Sequence, residues 1–495
     1  MQLSKSTIAS IGLALISVSG VDAFWRLPCA NPIVVERSDP IVSPGKLSGH
    51  LHTIMGPDSF DFTIPTSWTF AEAKKKTKCS TCQVSQDLSA YWTPNLWFRA
   101  KNGSVAPVPQ YGGALIYYMQ RPHQSNENEK IYAFPPGFRM LAGNPWVRSD
   151  KTATIKAQKA INYACIAPNK ANPETFGFPK INCELGLRMQ VFFPSCWDGK
   201  NIDSLDHKSH VAYPDDINYG ICPKSHPKRL VSLFYEILFD INKFKDEWTP
   251  NGKDVPWVLS HGDATGYGLH GDFLNGWNVD VLQKAIDTCK DPNGDYKDCA
   301  AFNNYRIEDK VAGECFLTES VNEKTTGWMD KLPGCNPITY GPSDAAPVLN
   351  CAVQAAIGAR KPISSDMSAL GWEYDSCVWD SIYDRTFPLE TKIWDNKMTI
   401  DMCINHCKKK GFPLAALEFA NECFCGTKIR SDRKGAGRCT MPCIGNKNQN
   451  CGAEARMSVY RKKGYVAKRE TGHARRTSKP AEPVLGDVEM KTIGY

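Results

Sequence analysis

After its first two dozen residues the chain has no apolar run approaching the 18 or more residues a membrane-spanning helix needs. It has no hydrophobic tail for a lipid anchor, because its final residues are charged and polar. There is no Gly-rich phosphate loop and no alternating strand–helix rhythm, which argues against a doubly wound nucleotide-binding fold. A Gly-x-Ser-x-Gly elbow is missing, which disfavours a typical esterase. The His-Glu-x-x-His pattern of hydrolytic zinc helices is missing too. The body of the chain also lacks charge of one sign. The formal net charge is +7, and nine Lys/Arg against four Asp/Glu between Arg461 and Tyr495 supply most of it. A nearly neutral body has no positive face for a nucleic-acid groove, so no nucleic-acid partner is expected.

What the chain does have is cysteine. Eight of its 20 cysteines fall between Cys377 and Cys451, in a segment too short to bury much core without cross-links. Four disulfides there, and an even twelve cysteines elsewhere, fit two separately closed domains and an oxidising destination. The N-terminus agrees: Lys5, the apolar run Ile8 to Val18 and then Val21-Asp22-Ala23 read as a signal peptide over residues 1–23. The expected protein is secreted and extracellular, with retention at a cell wall through binding, no transmembrane anchor and a monomeric state. The expected layout is a β-rich domain over 24–355, a linker over 356–370, the cysteine module over 371–461 and a basic, disordered tail over 462–495. Asn102-Gly103-Ser104 is a glycosylation acceptor in a Gly/Pro-rich stretch that reads as a surface loop.

The large region reads as short strands broken by Gly, Pro and Asn. Candidates are Ala114 to Met119, Lys130 to Phe134, Arg188 to Phe193, Val231 to Ile241 and Trp257 to Leu259. Helices are few: Ala153 to Cys165 is one candidate, and Asp280 to Cys289 is the best, with an apolar stripe at helical spacing. The pattern predicts a mainly β fold, a β-sandwich or jelly roll with long loops. In the small module Thr399 is expected to cap a helix to Lys409 that points Cys403 and Cys407 to one side, and Glu422 to Gly426 is expected to be a strand. Zinc is the rival reading for its cysteines.

Three stretches of this module carry a resemblance: Asp401-Met402-Cys403-Ile404-Asn405-His406-Cys407, Phe419-Ala420-Asn421-Glu422-Cys423-Phe424-Cys425-Gly426, and the late Cys439, Cys443 and Cys451. They resemble the WSC domain of fungal wall proteins. That resemblance implies binding to polysaccharide, β-glucan or a related wall glycan. WSC modules also sit outside transmembrane stress sensors, but that role is not expected without a span. The large region is similar to the fungal domain of unknown function 1996. The match runs through Phe24 to Cys29, Gly49-His50-Leu51-His52-Thr53, Ser89 to Pro94, Cys196 to Asn201, Asp206 to Pro214 and Ser260-His261-Gly262-Asp263 to Phe273. This second resemblance implies no settled chemistry.

Six of the ten histidines lie in three polar motifs: His50 and His52, His207 and His210, His261 and His270. On a strand, His50 and His52 share a face, a spacing that suits two imidazoles on one divalent metal. The other reading is two polar residues beside an Asp/Ser-rich loop, and no cofactor is required. Trp197 with Asp198, Asn201, Asp203 and Asp206 makes a good sugar surface, since an indole stacks on a pyranose and carboxylates take its hydroxyls. Asp198 and Asp263, then Asp272, are the candidate acid/base carboxylates of a glycosidase; the alternative is that they only close Asx-turns. His207, His210, Tyr213 and Arg139 instead suit a lyase, with Arg or His neutralising a uronate and Tyr or His taking the C5 proton. His261 and His270, and in the small module Trp379 and Tyr383-Asp384, are further candidate substrate contacts. Cys79-Ser80-Thr81-Cys82 has redox spacing, but structural disulfides are expected. The leading reading is a glycoside hydrolase tethered by its small module. The alternatives are a non-catalytic wall-binding or adhesion protein, and a polysaccharide lyase.

Overall fold

The computed structural model describes residues 23–168, 174–251, 254–348, 355–360, 362–381, 383–433 and 438–466. The expected signal peptide before Ala23, and the basic tail beyond residue 466, lie outside the described residues.

Alternation of apolar side chains builds the large domain. In the strand Phe24–Cys29, Trp25, Leu27 and Cys29 are buried while their neighbours are half-buried. This strand opens a five-stranded sheet in the order Phe24–Cys29, Ala114–Met119, Ser232–Phe239, Leu187–Phe192, Ile161–Cys165, antiparallel throughout. A second antiparallel sheet runs Val34–Glu36, His52–Met55, Ala90–Pro94, His270–Leu274, Arg139–Gly143. The two share one core: Met55, Tyr91, Met140 and Phe273 of the second meet Trp25, Ile116, Tyr118, Val191 and Tyr235 of the first. Tyr91 and Tyr235 make an edge contact at 5.7 Å, and the Tyr235 hydroxyl donates to the Asp272 carbonyl at 3.0 Å. The fold is therefore mainly β, a sandwich with few helices, as the sequence predicts.

The second sheet is buried on both faces, and every residue of Ala90–Pro94 and His270–Leu274 is buried. Its outer face packs Ile54, Ala90, Trp92 and Leu274 against Phe60, Ile64, Trp68 and Ala73, the last in the helix Phe70–Lys76. Trp92 lies opposite both Ile54 and Asp272. Since strand side chains alternate, His52, His270 and Asp272 belong to this same outer face.

Strands Ala114–Met119 and Trp257–Leu259 and the helix Val279–Thr288 fall where periodicity places them. The expected helix from Ala153 to Cys165 does not form. A single turn, Lys156–Lys159, gives way to the edge strand Ile161–Cys165. Pairing with Leu187–Phe192 and the Cys165–Cys183 disulfide outweigh the helix-forming residues Lys156 to Lys159.

The small module is a five-stranded antiparallel sheet ordered Trp372–Trp379, Arg456–Lys462, Leu414–Glu418, Glu422–Gly426, Ile393–Trp394. The helix Ile400–Lys409 packs on it, capped by Thr399, whose hydroxyl accepts from the Met402 amide. Cys403 and Cys407 project from one helix face to Cys423 and Cys425, and Cys377–Cys439 and Cys443–Cys451 complete the set. All eight cysteines pair within the module, which rules out their use as zinc ligands. In the large domain Cys79 bonds Cys315 and Cys82 bonds Cys29, so the redox-like spacing serves two separate structural disulfides. Asn102 sits on an exposed turn.

Candidate functional site

Four of the six motif histidines meet at one end of the second sheet's outer face. His50 precedes the strand His52–Met55, His270 begins the strand His270–Leu274, and His261 lies just past the strand Trp257–Leu259. The ring of His50 stands 4.3 Å from that of His52, 5.2 Å from His261 and 5.1 Å from His270. His52, His261 and His270 are buried and His50 is half-buried, so the group opens to solvent on the His50 side. Glycine lets the backbones come this close: a Cβ on Gly268 would stand 2.8 Å from His261 Nε2.

The hydrogen bonds fix two tautomers. His270 Nδ1 faces the Gly268 carbonyl at 3.0 Å and His52 Nδ1 faces the Ser38 carbonyl at 3.1 Å. A carbonyl only accepts, so each Nδ1 carries the proton and each Nε2 keeps its lone pair. His270 Nε2 lies 3.1 Å from His50 Nε2. His52 Nε2 and both ring nitrogens of His261 are buried without a hydrogen-bond partner among the described residues. An unpaired buried polar group costs about 1–3 kcal/mol, so three such atoms in one cluster need an explanation. Burial keeps these rings neutral. It pushes His52 and His270 down to about 3, and with the neighbouring imidazoles it holds His50 and His261 well below the usual range.

Asp272 joins this cluster. It is 2% exposed, and its Oδ2 has no partner among the described residues. Burial and the neighbouring Asp39 push its carboxyl well up, opposed by Lys208. Asp39 is itself raised to about 6 by burial, although its Oδ1 accepts from the Ile41 and Val42 amides. Lys208 Nζ donates to the Gly143 carbonyl at 2.6 Å. Gly143 is the register partner of His270 and also lines a cleft of about 310 Å³ with Lys208, Val211 and Tyr213.

The other expected site residues are engaged elsewhere. Asp198 closes an Asx-turn, accepting from the Lys200 and Asn201 amides and the Asn201 side chain. Slight burial would raise its carboxyl, but these bonds hold it below the usual range. Trp197 donates its indole N–H to the Asn201 carbonyl at 2.6 Å. Asp263 is fully buried, accepting from Thr265 and Gly268 and lying 3.5 Å from Arg148. Burial raises it and Arg148 opposes. His207 pairs with Asp203 at 2.7 Å, and Asp203 also lies 3.9 Å from Arg139. Arg139 further donates to the Pro65 carbonyl. His210 bridges Ser204 and the Arg139 carbonyl, and burial lowers its pKa. Tyr213 donates to the Phe192 carbonyl at 2.7 Å, and burial raises it beyond use as a base. Sequence reasoning missed Asp39 and Lys208. Asp39 has no local signal, and Lys208, within the stretch Asp206 to Pro214, is a lysine among more conspicuous histidines.

In the small module Arg456 lies 4.3 Å over the ring of Trp379, covering that face, whereas Tyr383 is 88% exposed. Asp384 pairs with Arg430 and Arg433. Trp394 and Phe419 are also exposed, although neither is among the contacts expected from the sequence.

The fold and its cross-links define a disulfide-rich, two-module β protein. Residues 39–277 match the family described as a domain of unknown function (DUF1996), and residues 374–453 match the WSC domain. The chain carries a DUF1996 domain followed by a C-terminal WSC domain. It is 33% identical over 94 residues to a "WSC domain-containing protein" of Arthroderma benhamiae, covering 19% of this chain and 10% of that one. A second protein of that name and organism is 30% identical over 105 residues, covering 21% of this chain and 14% of its own. The chain thus spans about a tenth to a seventh of the length of these two relatives. A "Putative fungistatic metabolite" of Chaetomium globosum is 36% identical over 181 residues, covering 33% of this chain and 76% of the relative. Among the described residues, no helix is long and apolar enough to cross a membrane.

Proposed function

We propose that this is a secreted protein that binds cell-wall or related polysaccharide through its WSC module and hydrolyses it at the histidine–carboxylate centre of the large domain. The binding half is supported by the WSC match and by exposed rings at one end of the small sheet. Phe419 lies on the turn between Leu414–Glu418 and Glu422–Gly426, and Trp394 is the register partner of Glu422. Tyr383 belongs to the segment that Arg385 ties to Glu418, beside a groove of about 490 Å³ lined by Tyr383, Arg385, Phe387 and Leu389. Aromatic faces beside charged groups suit pyranose rings and their hydroxyls.

The observation that carries the catalytic half is the buried Asp272 carboxyl beside His52 and His270, its Oδ2 without a hydrogen-bond partner among the described residues. A carboxyl kept protonated by burial beside a second carboxyl, Asp39, is the kind of acid a glycosidic oxygen requires. Asp198 and Asp263, with their oxygens engaged in turns and an ion pair, fit that role less well. The test is product formation from wall glucans, mannan, chitin and polyuronates, read by mass spectrometry. Saturated oligomers that disappear in Asp272→Asn, with glycan pulldown intact, are expected. Unsaturated ends would point to a lyase, and pulldown without product from any glycan would leave wall binding alone.

A further inference from the structure

His50, His261 and His270 each offer a ring nitrogen, and these three atoms lie within 4.8 Å of one another. We propose that they form a site for a late first-row divalent ion such as Zn²⁺ or Cu²⁺, with His52 and Asp272 as its inner wall. Four observations lead there.

First, the set is rich in imidazole nitrogen. Calcium and magnesium select oxygen donors, and thiolate sites are closed off because no cysteine among the described residues is free. Second, the spacing fits. Tetrahedral coordination with metal–nitrogen bonds of about 2.0–2.1 Å places two nitrogens ~3.3 Å apart, and His50 Nε2 and His270 Nε2 are 3.1 Å apart. Third, a metal-binding histidine usually donates its other ring N–H to a backbone carbonyl, which fixes the lone pair toward the ion. His270 does this through Gly268 and His52 through Ser38. Fourth, His261 is 1% exposed, and neither ring nitrogen has a hydrogen-bond partner among the described residues. A buried imidazole with two unused nitrogens in a cluster of imidazoles has a ready partner in a cation.

The two candidate triads overlap at His270: His50, His261 and His270 on the open side, and His52, His270 and Asp272 on the inner side. The first has three protein ligands and a half-buried edge, the pattern that leaves a fourth position for water or substrate. The local cations do not compete for these nitrogens: Arg148 is held by Asp263, Thr339 and two carbonyls, and Lys208 by the Gly143 carbonyl.

The proposal deepens the centre described under Proposed function but is tested without glycan, so failure of one reading does not decide the other. The secreted full chain, stripped with a chelator, is titrated separately with Zn²⁺ and Cu²⁺ by calorimetry, and metal content is read by mass spectrometry. One ion per chain is expected, with nitrogen hyperfine structure in the copper resonance spectrum. His261→Ala and His270→Ala should each weaken binding at least 100-fold. His50→Gln, at the half-buried edge, keeps the test open if the buried variants fail to fold, and should weaken binding at least tenfold. His123→Ala, in a separate loop, should leave it unchanged. Absence of stoichiometric binding, equal affinity in His50→Gln and wild type, or a copper spectrum with oxygen donors alone would overturn the site.

Discussion

Two aspartates that sequence reasoning treated alike behave as opposites. Asp198 closes an exposed turn; asparagine keeps the two amide bonds at Oδ1 and loses only the one that Oδ2 accepts from the Asn201 side chain, so Asp198→Asn should cost no more than about 1 kcal/mol and leave any turnover intact. Asp263 faces Arg148, which is 1% exposed in its side chain. Asp263→Asn removes the charge that offsets this buried guanidinium and should cost about 3–5 kcal/mol. Urea midpoints of the two variants check both figures; equal midpoints would contradict the assignment. The histidine motifs show how much of the site was legible. Each pair was visible locally, because short polar motifs stand out among apolar strands. Their union was not, because His50, His261 and His270 are joined only by strand pairing and by the close passage of Gly268. His207 and His210, just as conspicuous, serve instead to order the loop around Ser204 and Arg139.

Among the elements, legibility followed burial pattern. The strand Ala114–Met119 and the helix Val279–Thr288 carry their period in their own residues. The strand Ile161–Cys165 does not, because its conformation comes from a neighbour and a disulfide. The capped helix Ile400–Lys409 was legible from Thr399 and the four-residue cysteine spacing. Thr399→Ala should lower stability by about 1 kcal/mol in calorimetry of the full chain. A second test concerns Glu418, at the end of the strand Leu414–Glu418. Burial and the adjacent Asp380 push it up to about 8, against Arg385. A carboxyl raised in the folded state contributes stability that is whole below its ordinary 4.5 and is lost as pH rises through about 8. The difference in thermal midpoint between wild type and Glu418→Gln should therefore change across that window in this direction. A difference independent of pH would contradict the raised value.

For the whole molecule, the spans of the disulfides rank their importance. Cys79–Cys315 closes 236 residues, both cysteines packing with the cluster on the outer face of the second sheet, whereas Cys289–Cys299 closes 10. In the chain-entropy account the first constrains the unfolded chain by about 5 kcal/mol and the second by about 3 kcal/mol. Double Cys→Ser variants of each pair, compared by denaturant midpoint, should keep that order. Two architectural units were legible from cysteine counts because, among the described residues, each disulfide given closes within one unit.

That self-contained pairing makes the small module a separable part. Among the described residues no disulfide joins it to the sandwich; Arg438 donates to the Pro32 carbonyl across the boundary. One protease cut before Gly371 would leave both pieces cross-linked and shaped. Whatever the WSC module holds would then stay in place while the larger domain diffused away.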